Sequence, residues 1–231
     1  MAISIKILQT GSIRIRLSHR HQPADKAVLL RRYVGKDEGI GSRLEQENLA
    51  PGDLKAVVLS HLHHDHGDGL PDLVGAPVWI TEEHWQAYKM PFHATMEGAV
   101  PNQWPETFKP SILQPTGGPI GPWNQSYSIT EDGKVVALDT LGHVPGHLSV
   151  IVRADDVSYL LLGDTTYDQD LLDQELTDGV NSNRRWQSIL SGKSKSSQGA
   201  KTLCCSLLTN RKQLTAWRRR SCTDLVWSRA H

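Results

Sequence analysis

Four histidines and an aspartate crowd into His61-Leu62-His63-His64-Asp65-His66, directly after the apolar run Ala56-Val57-Val58-Leu59-Ser60. In an extended segment residues i and i+2 face the same side, so His61 and His63 present two imidazoles to one ion. Asp65 and His66 follow where Gly67, Asp68 and Gly69 predict a turn, and they could serve a second ion nearby. Zinc accepts imidazole nitrogen and carboxylate oxygen, and catalytic zinc keeps one position open for water. A loose His-rich tract would bind metal only weakly. Ordered spacing behind a β-like run favours a built site. His64 is expected to point away from its neighbours and to be structural.

Such residues suit hydrolysis. Two divalent ions held close together lower the pKa of a bound water and supply hydroxide at neutral pH. They also polarise a carbonyl under attack and stabilise the oxyanion that forms. Neutral imidazoles bind without cancelling the metal charge, and a carboxylate such as Asp65 adds a hard ligand. Asp65 could also position the attacking water. Mixed His and carboxylate ligands suit iron, cobalt or manganese as well as zinc. The leaving group stays open: lactone, thioester, amide and phosphodiester are all compatible.

The stretch resembles the H-x-H-x-D-H signature of the metallo-β-lactamase superfamily, matched by His61, His63, Asp65 and His66. Thr140-Leu141-Gly142-His143-Val144-Pro145-Gly146-His147 is similar to the family's T-P-G-H-T-P-G-H segment, with Leu141 and Val144 as departures. Leu160-Leu161-Leu162-Gly163-Asp164 looks like the strand that ends in its bridging carboxylate. The resemblance runs over about residues 1–180. It implies a first ion on His61, His63 and His143, a second on Asp65 and His66, and Asp164 between them. It also implies that His147 is usually not a ligand. Asp164-Thr165-Thr166-Tyr167 is similar to the D-x-x-Y of N-acyl-homoserine lactonases, which implies that Tyr167 contacts the substrate carbonyl. A structural Tyr167 at a helix start stays open.

The expected fold is α/β, an αββα sandwich of two mixed sheets with outer helices. Two departures put its completeness in question. The family's Asp-containing turn ahead of the histidine motif has no counterpart between Leu29-Leu30-Arg31-Arg32-Tyr33 and Glu38-Gly39-Ile40-Gly41. Its last ligand, a histidine after a C-terminal strand, has only the terminal His231 as a candidate.

The elements that must position these groups read as follows. Ile3, Ile5, Ile7 and then Ile13, Ile15, Leu17 alternate like a half-buried strand pair. Gly39–Leu49 predicts a helix with Ser42 and Glu45 as a capping box. Ala56–Ser60 and Val78–Ile80 predict strands, and Thr81–Met90 a helix capped by Thr81. Residues 91–125, rich in Pro, Gly and Trp, predict a loop that could line a pocket or pack loosely over the core. Val135–Leu138, Leu148–Val152 and Val157–Leu162 predict successive strands, with Asp155-Asp156 as the turn between the last two.

The 231 residues suffice for one medium domain with a substantial core. Mean hydropathy is −0.40, and no stretch reaches the apolar length of a membrane span. The N-terminus lacks the continuous apolar core of a secretion signal, so a cytoplasmic location is expected. The zero net charge hides an asymmetry. Residues 181–231 carry 11 Lys and Arg against the single acid Asp224, which leaves 14 basic against 24 acidic side chains before them. Cys204, Cys205 and Cys222 also lie in that segment, with neither a zinc-ribbon spacing nor a disulfide framework. The expectation is a metallo-β-lactamase-like domain over 1–180 and an atypical basic tail over 181–231, disordered or translated from an altered reading frame.

The expected function is that of a metal-dependent hydrolase with two divalent ions, zinc first. It opens lactone rings such as acyl-homoserine lactones by attack of metal-bound hydroxide, in a quorum-quenching role. The alternatives are a glyoxalase II-like thioester hydrolase and an inactive metal-binding remnant. The expected partner is a small-molecule substrate, with no membrane. Nucleic acid is disfavoured because no binding module accompanies the basic tail.

Overall fold

A computed structural model describes residues 12–16, 29–33, 37–121, 123–154, 157–165, 200–203 and 225–227. Two sheets dominate. The five-stranded sheet contains β6 (Tyr127–Ser128), β7 (Val135–Asp139), β8 (Leu148–Ala154), β9 (Val157–Leu161) and β10 (Ala200–Leu203), in the order β10-β9-β8-β7-β6. The four-stranded sheet contains β3 (Ala56–Val58), β4 (Val78–Ile80), β5 (Ser111–Ile112) and β11 (Leu225–Trp227), in the order β11-β3-β4-β5. Both are mixed: β10 is parallel to β9 while β9, β8, β7 and β6 alternate, and β11 is antiparallel to β3 while β3, β4 and β5 run parallel. A separate hairpin-like pair joins β1 (Ser12–Arg16) to β2 (Leu29–Tyr33). Ile13 pairs with Arg32 and Ile15 with Leu30, and Ile3 to Ile7 lie outside the described residues.

Strand β3 shows why a continuous apolar run forms here. Successive strand side chains point to opposite faces, and all three residues of β3 are buried. Val57 joins a core with Ile40, Leu44, Leu59, Leu62, Ile80 and Tyr88, beneath the helices. Ala56 and Val58 join a second core with Val135, Ala137, Leu148, Val150 and Val152, between the sheets. A strand covered on both sides carries no polar alternation.

The helices over the first core are short: α1 (Ile40–Gln46), α2 (His64–Gly67), α3 (Glu82–Tyr88) and α4 (Pro91–Met96). Helix α1 buries Ile40 and Leu44, one turn apart. Its N-cap is Gly39, not Ser42, and no side chain caps it from within. The predicted capping box fails because Asp72, from another segment, takes the Gly41 N–H at 3.2 Å. Helix α3 is capped as predicted: Thr81 Oγ1 accepts the His84 N–H at 3.1 Å, and Glu82 and Glu83 sit where the helix dipole favours acids. The segment 91–125 is not all loop. It holds α4, which starts on Pro91, and the short edge strand β5.

Thr81 also donates to the Gly146 carbonyl at 2.9 Å. Thr81→Ala is therefore expected to lower stability by about 1–2 kcal/mol, since it removes both a helix cap and a buried loop contact. Urea unfolding checks this; an unchanged midpoint contradicts it.

Candidate metal centre

The histidine motif begins where β3 has just ended. Leu59 N–H still reaches the Trp79 carbonyl at 3.1 Å, and Ser60 O accepts the Leu148 N–H at 3.1 Å. The backbone is thus pinned to both sheets immediately before His61. The chain bends at Ser60 and again at His63, then closes into the single turn of α2, which carries His64, Asp65 and His66. His143 comes from the loop between β7 and β8, and Asp164 from the turn after β9.

These segments bring their side chains together. The His61 ring lies 4.5 Å from His63, 4.1 Å from His66 and 4.8 Å from His143, centroid to centroid. Two groups of possible ligand atoms each fall within 4.8 Å of one another: His61, His63 and His143, and His61, His66 and Asp164. His61 belongs to both. Asp164 lies between the groups, with one carboxylate oxygen 3.3 Å from His66 Nε2 and the other 3.6 Å from His143 Nε2. Asp65 is in neither group; its carboxylate lies 3.3 Å from His64 Nδ1. Tyr167 and His231 lie outside the described residues.

The electrostatics suit cation binding. Burial is the main reason that the His61 imidazole is held well below its usual pKa, with the neighbouring rings adding to it. Burial and then His143 bring His63 down to about 4. Burial alone would push the Asp164 carboxyl up. The hydrogen bond and charge of His66, with His143 and His147, outweigh it and leave Asp164 at about 2. Neutral imidazoles beside an ionised carboxylate form a donor set for a divalent cation. His61 Nε2 is buried and has no hydrogen-bond partner among the described residues. A buried polar atom left in that state costs free energy, and a bound ion would satisfy it. The residues present fit a metal.

Around the donors lies a hydrogen-bonded frame. His147 Nε2 accepts the Asp164 N–H at 3.2 Å. Its proton is therefore on Nδ1, which donates to Thr140 Oγ1 at 2.8 Å. Thr140 is bonded to Ser149 Oγ at 2.8 Å, and Ser149 donates to the Leu162 carbonyl at 3.0 Å. The ring packs so closely on Gly163, at φ +58°, that a Cβ there would meet His147 Nε2 at 2.9 Å. Part of the 91–125 segment also reaches the site, where Gly98 O accepts the His64 N–H at 3.1 Å.

Sequence reasoning missed His84, Ser60 and Ser149. Ser60 Oγ lies 3.1 Å from His61 Nδ1 and 3.2 Å from His66 Nδ1. The one available signal for Ser60 was its place beside the motif. His84 had none, because the hydrogen bonds of its ring are both long-range.

The sequence model of the metallo-beta-lactamase superfamily matches residues 22–205. An N-acyl homoserine lactonase of Rhizobium radiobacter, AttM, is 27% identical over 130 residues, 56% of this chain and 47% of that protein. A gamma-lactamase of Gibberella moniliformis, MBL2, is 28% identical over 130 residues, 54% of each chain. The chain thus spans about half the length of these curated relatives. Among solved structures, a quorum-quenching N-acyl homoserine lactone lactonase superposes with a TM-score of 0.61 at 17% identity, covering 85% of this chain and 88% of the other. A second, an N-acyl homoserine lactone hydrolase with N-hexanoyl-L-homoserine bound at its metal centre, gives 0.58 at 20% identity, covering 74% and 61%. At these identities the superpositions show the fold. Since the family match takes in well over half of the sequence, the chain belongs to the metallo-beta-lactamase superfamily.

Proposed function

We propose that this chain binds two divalent ions, zinc first, and hydrolyses a small carbonyl substrate, with lactone ring opening as its reaction. The observation that carries the reading is the convergence of His61, His63, His66, His143 and Asp164 into two overlapping ligand groups. His61, His63 and His143 would hold one ion, and His66 and Asp164 would hold or approach the other, with Asp65 as a further carboxylate nearby. When bound, the ions supply a nucleophilic hydroxide at neutral pH and an electrophile for the carbonyl.

The chain's own residues do the rest. Low basicity keeps His61 and His63 unprotonated at neutral pH, so their lone pairs are available. Asp164 stays ionised and offsets the charge of the ions. His147 fixes the turn that carries Asp164, and Tyr167 would meet the substrate carbonyl. Acyl-homoserine lactones are the first substrates to consider because lactonases stand among the relatives. A small-molecule substrate and a cytoplasmic setting belong to the same proposal. Among the described residues, no helix is long and apolar enough to cross a membrane.

A second reading is a chain that binds metal without turnover. It is favoured by Asp65 standing outside both ligand groups. Elemental analysis of the purified protein, with acid release from hexanoyl-homoserine lactone and from a glutathione thioester followed on the same sample, separates these. Two zinc ions per chain and one acid released per lactone consumed is the expected result. Metal with no turnover of either substrate selects the second reading, thioester turnover alone selects a glyoxalase II-like activity, and absence of metal overturns all three.

A further inference from the structure

His84 belongs to neither ligand group, yet it touches two of the three segments that carry ligands. It is buried, with 1% exposure. Its Nε2 accepts the Leu62 N–H at 2.9 Å, and Leu62 stands between His61 and His63. Its Nδ1 lies 2.7 Å from the Pro145 carbonyl oxygen, two residues beyond His143. An amide can only donate, so Nε2 carries no proton, and the ring proton sits on Nδ1 and is donated to Pro145. One neutral imidazole therefore bridges segments that are 22 and 61 residues away in sequence.

The rest of the first turn of α3 closes the same latch. Thr81 Oγ1 accepts from His84 N–H and donates to Gly146 O. Gly146, at φ +68°, comes so near that a Cβ there would lie 2.4 Å from His84 N. Tyr88, one turn along α3, stacks on the His84 ring at 4.3 Å and fixes its plane. Burial, countered only in part by the Pro145 hydrogen bond, brings the ring down to about 4, so it stays neutral near pH 7.

We propose that His84 is a positioning residue for the metal centre: through its two ring nitrogens it sets the separation of the His61–His63 segment from the His143 loop. The inference rests on the metal-binding reading above. Groups that orient metal ligands without binding the ion typically change affinity by about 10- to 100-fold, and a ring with two directed bonds at fixed spacing has the geometry for it.

The test uses the full chain and cobalt(II), read by titration and by the visible d–d absorption, with circular dichroism to follow folding. His84→Phe keeps the ring volume and the stack on Tyr88 but removes both bonds. His84→Gln places an amide oxygen near the Nε2 position and keeps the acceptor for Leu62. His84→Asn places an amide nitrogen near the Nδ1 position and keeps the donor to Pro145. The expected result is a folded His84→Phe protein with cobalt affinity down by about 10- to 100-fold and a shifted d–d spectrum, with Gln and Asn each recovering part. Unchanged affinity and spectrum in His84→Phe overturn the proposal. Should that variant not fold, wild-type affinity in both amide variants overturns it and lowered affinity in folded protein supports it. A wild-type chain that takes up no cobalt overturns the metal reading itself, and this inference with it.

Discussion

Alanine at His61 is expected to empty one ion position and weaken the other, so that it costs more metal than alanine at His63 or at His66. The reason is that His61 alone, among the described residues, lies within reach of both ligand groups. Its one free ring lone pair binds one ion, and its ring packs 4.5 Å from His63 and 4.1 Å from His66, so its loss also loosens the ligands of the other. Loss of a ligand outright should exceed the cost of losing a group that merely orients one, so affinity is expected to fall by more than about 100-fold in His61→Ala. Zinc per chain, measured after dialysis against a buffered zinc solution, gives the readout. Equal metal content in the three variants would contradict the shared role. The metal-free protein should respond quite differently. The deleted ring carries a buried nitrogen without a partner, and removing an unsatisfied polar atom recovers part of what the lost packing costs. Metal-free His61→Ala is therefore expected to unfold within about 2 kcal/mol of the metal-free parent.

Acid should unfold the metal-free chain well above the pH at which carboxylates titrate. His84 is held at about 4 and His147 at about 3, in both cases chiefly by burial. Both have lower pKa values folded than unfolded, where 6.5 is usual. Between pH 6.5 and 4 the unfolded chain therefore binds more protons, and stability rises with pH. The contribution of these two groups is complete above about pH 6.5 and is lost as the pH falls towards their folded values. Two such groups remove about 2–3 kcal/mol per pH unit within that window, and the lowered His61 and His63 act in the same direction. A domain of ordinary stability, about 5–15 kcal/mol, should then unfold between pH 4 and 6. Asp164, lowered to about 2, adds stability above the usual carboxylate range that is lost only below it, so it does not set this transition. Circular dichroism against pH checks the window, and His147→Gln should move the midpoint to lower pH. A transition confined below pH 3 would contradict the assignment.

The parts of the fold legible in the sequence were those whose signal is local. The apolar run Ala56–Ser60 reads as a strand, and the strand formed is Ala56–Val58, with all three side chains buried; Val78–Ile80 was read to the residue. Thr81 announced its helix because the cap lies within the same turn. Ser42 and Glu45 gave the same local signal and misled, because Asp72, 31 residues from Gly41, takes over the helix start. Helix α4 was hidden by its Pro-rich surroundings, although Pro91 at a first helical position is itself a start signal. At the site, His61 and His63 were legible from their spacing. His143 and Asp164 needed the family resemblance, since nothing in their own neighbourhoods says that they meet. His84 was not legible at all, because its partners Leu62 and Pro145 are chosen by tertiary packing.

Strand β3 contributes Val57 to the core under the helices and Ala56 and Val58 to the core between the sheets. Three residues after it stands His61. An ion held there is anchored next to a segment that both cores grip, so its binding energy cannot be released by local fraying. Cation occupancy and global unfolding become linked: saturation at about 100 times Kd would add roughly 2.7 kcal/mol to the stability of the entire fold. The metal would then act as a keystone for both halves of the sandwich, beyond any part in chemistry.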